Sequence, residues 1–89
     1  MNGEEIKKHL AKTPQWLLFG NKIIRQFQFI DFKEAIEFVG KIAEVAEDAN
    51  HHPDIYISYN KVRLELSSHD ENGLTEKDFI MALKIDELS

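Results

Sequence analysis

Apolar residues recur along this chain with two periods, and the places where the period changes mark the elements. Ile6 and Leu10 share one face of a short helix that Asn2 and Glu5 open as an N-cap and N3 pair and that Pro14 closes. Over residues 15–19 and 22–30 the chain is rich in aromatic and β-branched residues, and Gly20-Asn21 between the two runs has the chemistry of a two-residue hairpin loop. In the second run Ile23, Phe27 and Phe29 fall on one side and Ile24, Gln26 and Gln28 on the other. Arg25 interrupts the apolar side, which places it near a sheet edge.

Asp31 and Glu34 repeat the cap-and-N3 pattern ahead of a helical stretch that reaches about Asn50. At the helical period Phe32, Ala35, Ile36, Phe38, Val39, Ile42, Ala43, Val45, Ala46 and Ala49 fill an arc of about 180°, wider than a minimal core stripe. Pro53 bars continuation of that helix, and residues 55–59 and 61–68 form a second strand pair around Asn60. Val62, Leu64 and Leu66 point one way while Arg63, Glu65 and Ser67 point the other. Thr75 and Asp78 then make a T-x-x-D start to a final helix carrying Phe79, Ala82 and Leu83.

The order is helix, two strands, helix, two strands, helix. It predicts an α+β fold of two layers, a four-stranded antiparallel sheet with helices on one face. No repeat, low-complexity tract or linker divides the chain, so residues 1–89 are expected to form one domain. A domain of this size gains from further burial through self-association, and the wide apolar arc agrees with that.

Composition narrows the function. With 43 % hydrophobic and 30 % charged residues the chain has the profile of a soluble globular protein. Its apolar runs are too short to span a bilayer, and the start Met1-Asn2-Gly3-Glu4-Glu5 lacks a secretory signal, so a cytoplasmic location without membrane contact is expected. A net charge of -5, with the basic residues scattered, disfavours direct contact with nucleic acid. The absence of cysteine excludes a thiol nucleophile and thiolate metal sites.

The candidate chemistry is concentrated in the second half: Glu47, His51-His52-Pro53, Tyr59, His69 and Asp78. Imidazoles titrate near neutral pH and suit proton transfer. Glu47 and His51 are spaced i, i+4, which puts them on one helix face if the helix holds to its end; a solvated ion pair at a helix C-terminus explains the same spacing. At a frayed helix end, with Pro53 forcing extended backbone, both adjacent rings can converge on one pocket, although paired histidines are commonly solvated loop residues. Asp78 has a capping explanation as well as a chemical one. Tyr59 reads as a hairpin-end aromatic, and Trp16 as core or pocket wall. Three imidazoles are a zinc-capable set, but no H-x3-H or H-x-H spacing supplies two ligands from one rigid element, so no metal is expected.

Read as E-x3-H-H-P-x5-Y-x9-H-x8-D, this constellation resembles the signature of the pterin-4a-carbinolamine dehydratases. The similarity continues in order through Trp16, Phe27-Gln28-Phe29, Asp31-Phe32, Ala35, Gly73-Leu74-Thr75 and Ile85-Asp86. The resemblance implies a lyase that dehydrates 4a-hydroxy-tetrahydrobiopterin to the quinonoid dihydropterin without a cofactor, in support of tetrahydrobiopterin recycling. It implies His51, His52, His69 and Asp78 as the catalytic set, with Glu47 and Pro53 at the substrate; Ser68, Asp70 and Glu71 join them as substrate-binding residues because their hydroxyl and carboxylate groups suit the donors of a pterin's amino-pyrimidinone edge, although family members vary just after the histidine. It also implies a homodimer or homotetramer. The alternative is a non-catalytic dimerisation or interaction module, of the coactivator or assembly-factor kind: the resembled family includes dimerisation partners of a transcription factor, and dehydratase-like proteins with degraded signatures that serve other roles.

Overall fold

A computed structural model describes all 89 residues, Met1 to Ser89. Each α-helix starts where the sequence places a cap. Helix α1 (Gly3–Lys12) opens on a reciprocal pair in which Asn2 accepts from the Glu5 N–H at 2.9 Å and Glu5 accepts from the Asn2 N–H at 3.1 Å. Helix α2 (Phe32–Ala49) opens on Asp31, which accepts from the Glu34 N–H at 2.9 Å. Caps of this kind are each worth about 1 kcal/mol. Helix α3 (Glu76–Leu88) opens at Thr75, whose N–H donates to Asp78 at 3.0 Å.

The strands β1 (Leu17–Phe19), β2 (Lys22–Gln28), β3 (Asp54–Ser58) and β4 (Lys61–Leu66) form one antiparallel sheet in the order β1-β2-β4-β3. Gly20 takes the positive φ of 63° that a tight hairpin turn needs, and Tyr59 takes φ 53° in the second turn. The two hairpins join through β2 and β4, from Ile23 opposite Leu66 to Gln28 opposite Lys61. Burial accounts for the order: Ile23, Val62, Leu64 and Leu66 are fully buried and occupy the two central strands, leaving the more exposed β1 and β3 at the edges.

Between sheet and helices these residues meet Trp16, Phe38, Ile42, Leu74, Phe79, Met81 and Ile85 in one apolar cluster. Burying each large side chain contributes about 1.5–3 kcal/mol. Ile6 and Leu10 of α1 pack against this cluster, and His9 stacks on Phe79 with ring centroids 4.8 Å apart.

Two expectations are corrected. Arg25 lies on β2, an interior strand, where the Asp86 carboxylate of α3 accepts from both its guanidinium and the Trp16 indole N–H. The charge is tolerated on the apolar side because a carboxylate meets it there and the Phe27 ring lies 4.1 Å beneath it. The buried face of α2 is also narrower than the predicted arc. Ala35, Phe38, Ile42 and Ala46 are buried, whereas Phe32, Ile36, Ala43 and Ala49 are exposed, because α3 and the sheet cover only one side of the helix.

On the outer sheet face Glu65 is buried, accepts from Lys22 at 2.7 Å and forms an ion pair with Arg63 at 3.1 Å. The hydrogen bond from Lys22 holds the Glu65 carboxyl below its ordinary range, and the same bond raises Lys22. A depressed carboxyl contributes stability above its unfolded-state pKa of about 4.3, and that contribution is lost as pH falls through the lower folded value. The urea midpoint of Glu65→Gln is therefore expected to depend less on pH than the wild-type midpoint below about pH 4.5, as denaturation at a series of pH values will show.

Candidate active site

The site is built where α2 ends. Asn50 adopts the left-handed conformation at φ 50°, and its N–H reaches back to the carbonyls of Ala46 and Glu47 while the His51 N–H bonds to Ala46 at 3.1 Å. This closes the last turn and takes the chain off the helix axis, and Pro53, which is buried, carries it into β3. The helical register therefore stops before His51. The expected pairing of Glu47 with His51 is not formed. Instead His52 Nε2 lies 2.8 Å from Glu47 Oε1 on an exposed face, and His51 turns inward.

His51 Nε2 lies 2.6 Å from Asp78 Oδ1 across the gap to the first turn of α3. Asp78 is fully buried, at 0 % exposure. Its second oxygen accepts from Ser68 Oγ at 2.9 Å and from the Thr75 N–H at 3.0 Å. A carboxylate only accepts hydrogen bonds, so it assigns the proton of the neutral His51 ring to Nε2 and leaves Nδ1 as the free nitrogen. The capping and chemical explanations of Asp78 thus coexist: one oxygen caps α3 and the other orients His51.

β4 ends at Leu66, and a short 3-10 turn at His69–Glu71 follows. Ser68 and Gly73 close it with a two-way backbone bridge, Ser68 N–H to Gly73 O at 2.9 Å and Gly73 N–H to Ser68 O at 3.3 Å. Asn72 occupies the left-handed conformation that the reversal requires, at φ 56°. His69 is exposed on this turn and faces the same space as the end of α2.

That space is a cleft of about 660 Å³. Of the residues singled out from sequence, His51, His52, Ser68, His69, Asp70 and Glu71 line it. Asp78 lies beneath it, bonded to His51 and Ser68; Pro53 is buried and is not in the lining, and Glu47 stands outside it as the partner of His52. Asn50, Ser67, Thr75, Glu76 and Lys77 complete the wall and were not anticipated. Glu76 and Lys77 are carried in by the first turn of α3, a position that the Thr75 cap fixes and that the cap pattern could have disclosed. No apolar side chain lines the cleft. Trp16 is buried and bonded to Asp86, outside the lining. No cluster of three or more His, Asp or Glu side chains is arranged to hold a metal ion.

An antiparallel four-stranded sheet backed by helices, with three histidines gathered where α2, β4 and α3 meet, defines a class of small α+β proteins with a polar imidazole cleft. Within that class, the chain belongs to the Pterin 4 alpha carbinolamine dehydratase family, whose sequence model matches residues 1–88. A protein of Picosynechococcus sp., provisionally named a pterin-4-alpha-carbinolamine dehydratase, is 54 % identical over 84 residues that cover 94 % of this chain and 91 % of the relative. The crystal structure of a transcriptional coactivator/pterin dehydratase from Brucella melitensis superposes with a TM-score of 0.94 at 34 % identity, covering 99 % of this chain and 96 % of that one. A pterin dehydratase-like protein identified as a RuBisCO assembly factor in the alpha-carboxysome shares the fold, with a TM-score of 0.68 at 19 % identity over 82 % of this chain and 84 % of that one.

Proposed function

We propose that the cleft dehydrates a 4a-hydroxy-tetrahydropterin, with 4a-hydroxy-tetrahydrobiopterin as the reference substrate, to the quinonoid dihydropterin. The observation that carries this reading is the gathering of His51, His52 and His69 on one cleft, with His51 tethered to the buried Asp78. Family membership supports the same activity.

The reaction breaks the C4a–O bond, delivers a proton to the departing oxygen and removes one from a ring nitrogen as the C=N bond forms; water leaves. It needs an acid and a base held on a bound ring at the same time, and imidazoles serve both purposes near neutral pH. His51 acts through Nδ1, since Nε2 is held by Asp78. His52 and His69 approach from the α2 end and from the 3-10 turn, with Glu47 acting on the substrate only through His52. Asp70 and Glu71 offer acceptors to the amino and amide donors of the pterin's pyrimidinone edge.

The test is an assay with freshly generated 4a-carbinolamine. Its absorbance is expected to decay faster with protein present, and equally fast after treatment with a chelator. Chelator-sensitive activity would overturn the cofactor-free mechanism, and no acceleration would overturn the dehydratase reading.

A second reading, a protein-interaction module, is favoured by the exposed apolar residues Phe32 and Ile36 on α2 and Ile80 and Leu83 on α3. The two readings are compatible if those faces join copies of this chain, and we place homo-oligomerisation there. Light scattering at micromolar concentration is expected to give at least a dimer mass, and a clean monomer would remove self-association.

A further inference from the structure

We infer that Ser68 is a positioning residue that couples the two halves of the cleft, setting His51 through Asp78 and His69 through the turn it closes. This rests on the acid–base reading of the cleft and assigns Ser68 a task other than contact with substrate.

The hydroxyl is already engaged. Ser68 is 7 % exposed, and its Oγ lies 2.9 Å from Asp78 Oδ2 and 2.8 Å from Thr75 Oγ1. Because the carboxylate can only accept, the single proton of Ser68 goes to Asp78, and the Thr75 hydroxyl donates in turn to Ser68 Oγ. The result is a directed chain from Thr75 through Ser68 to Asp78, which receives His51 Nε2–H on its other oxygen. Two contacts, from Ser68 and from the Thr75 N–H, hold the carboxylate against rotation, so its remaining oxygen faces His51.

The backbone of the same residue ties down the second histidine. The Ser68 carbonyl accepts from the N–H groups of Glu71 and Gly73, and its own N–H donates to Gly73 O. These three bonds close the turn on which His69 stands. Ser68 is therefore the one residue whose side chain fixes the partner of His51 and whose main chain fixes the seat of His69.

The experiment compares Ser68→Ala, which removes the hydroxyl, with Ser68→Thr, which keeps it. It adds Thr75→Val, which removes the far donor while retaining the Thr75 N–H bond to Asp78. The Nε2 proton of His51, held against a carboxylate at 2.6 Å, is followed by NMR as a downfield signal of the free protein. In Ser68→Ala this signal is expected to shift or broaden, and kcat to fall about 10-fold with KM within about twofold, as for a misplaced proton-transfer group. Ser68→Thr is expected to restore both, and Thr75→Val to move both in the direction of Ser68→Ala but less far.

An unchanged His51 signal in folded Ser68→Ala overturns the proposal, as does a raised KM at unaltered kcat, which marks a substrate contact. Should Ser68→Ala fail to fold, an unchanged His51 signal in Thr75→Val overturns it equally. The NMR arm uses no substrate. A wild-type protein inactive on 4a-carbinolamine whose His51 signal still responds to Ser68→Ala overturns the dehydratase reading and leaves the link from Ser68 through Asp78 to His51 intact.

Discussion

His69→Ala and His51→Ala are each expected to lower kcat/KM by at least about 10²-fold, the lower end for loss of a general acid or base. The two variants differ in what else they disturb, and that difference gives the test its force. His69 is exposed on a 3-10 turn whose closure depends on the backbone of Ser68, so truncating its ring removes no packed or hydrogen-bonded group from the interior. His69→Ala should therefore melt within a few degrees of wild type, and its rate loss reports chemistry alone. His51 is mostly buried and is one of three donors to a buried carboxylate, so His51→Ala combines a rate loss with a stability loss of about 1–3 kcal/mol. Thermal unfolding beside steady-state kinetics separates the two. Wild-type rates in both variants would remove histidine catalysis from this cleft.

Replacing Asp78 has the largest expected effect on stability. The side chain has no solvent exposure, and the Ser68 hydroxyl, the Thr75 N–H and the His51 ring all donate to it. Asp78→Ala leaves these donors facing a void, a cost of about 2–4 kcal/mol that lowers the melting temperature of so small a domain by more than about 10 °C. Asp78→Asn is milder but not neutral. From the T-x-x-D pattern alone, an amide would keep the cap and fold with near-native stability. In the structure every contact of the carboxylate is with a donor, so the NH2 group of Asn either meets the fixed Thr75 N–H head-on or, on the His51 side, forces the ring into its other tautomer with the proton on Nδ1. We expect about 1–2 kcal/mol of destabilisation together with a 3- to 30-fold loss of kcat and a displaced acid limb in the pH–rate profile. Calorimetry of both variants and a pH series on Asp78→Asn check this. Unchanged kinetics in a stable Asp78→Asn protein would reduce Asp78 to a helix cap.

The chain carried its local order openly. Asn2 with Glu5 and Asp31 with Glu34 mark helix starts because a cap is a contact between neighbours three residues apart. Alternation through β2 and β4 disclosed which residues face the core, and Gly20-Asn21 disclosed the first turn, because strand period and turn chemistry are properties of adjacent residues. The histidines that line the cleft were legible too, as residue types in a recognisable spacing. What those side chains bind was decided elsewhere. The i, i+4 argument that joined Glu47 to His51 assumed a continuous helix, and the left-handed Asn50 ended it before His51, so Glu47 meets His52 and His51 turns to Asp78.

His51 meets an aspartate 27 positions away, and Arg25 meets Asp86 across 61. Such pairs have no periodic signature, since they depend on how α3 lies across the sheet rather than on anything near either residue. Burial likewise belongs to the assembled layers: an α2 arc that reads as wide in sequence is covered on one side only, and the hydroxyl of Ser68, which in sequence suits a ligand, is enclosed by Thr75 and Asp78. Sequence by itself determined the elements, their apolar faces and the residue types of the cleft, because these follow from interactions within a few residues. Only the tertiary structure decided which imidazole is tethered and by what, because that depends on a buried carboxylate being brought against it by a distant helix.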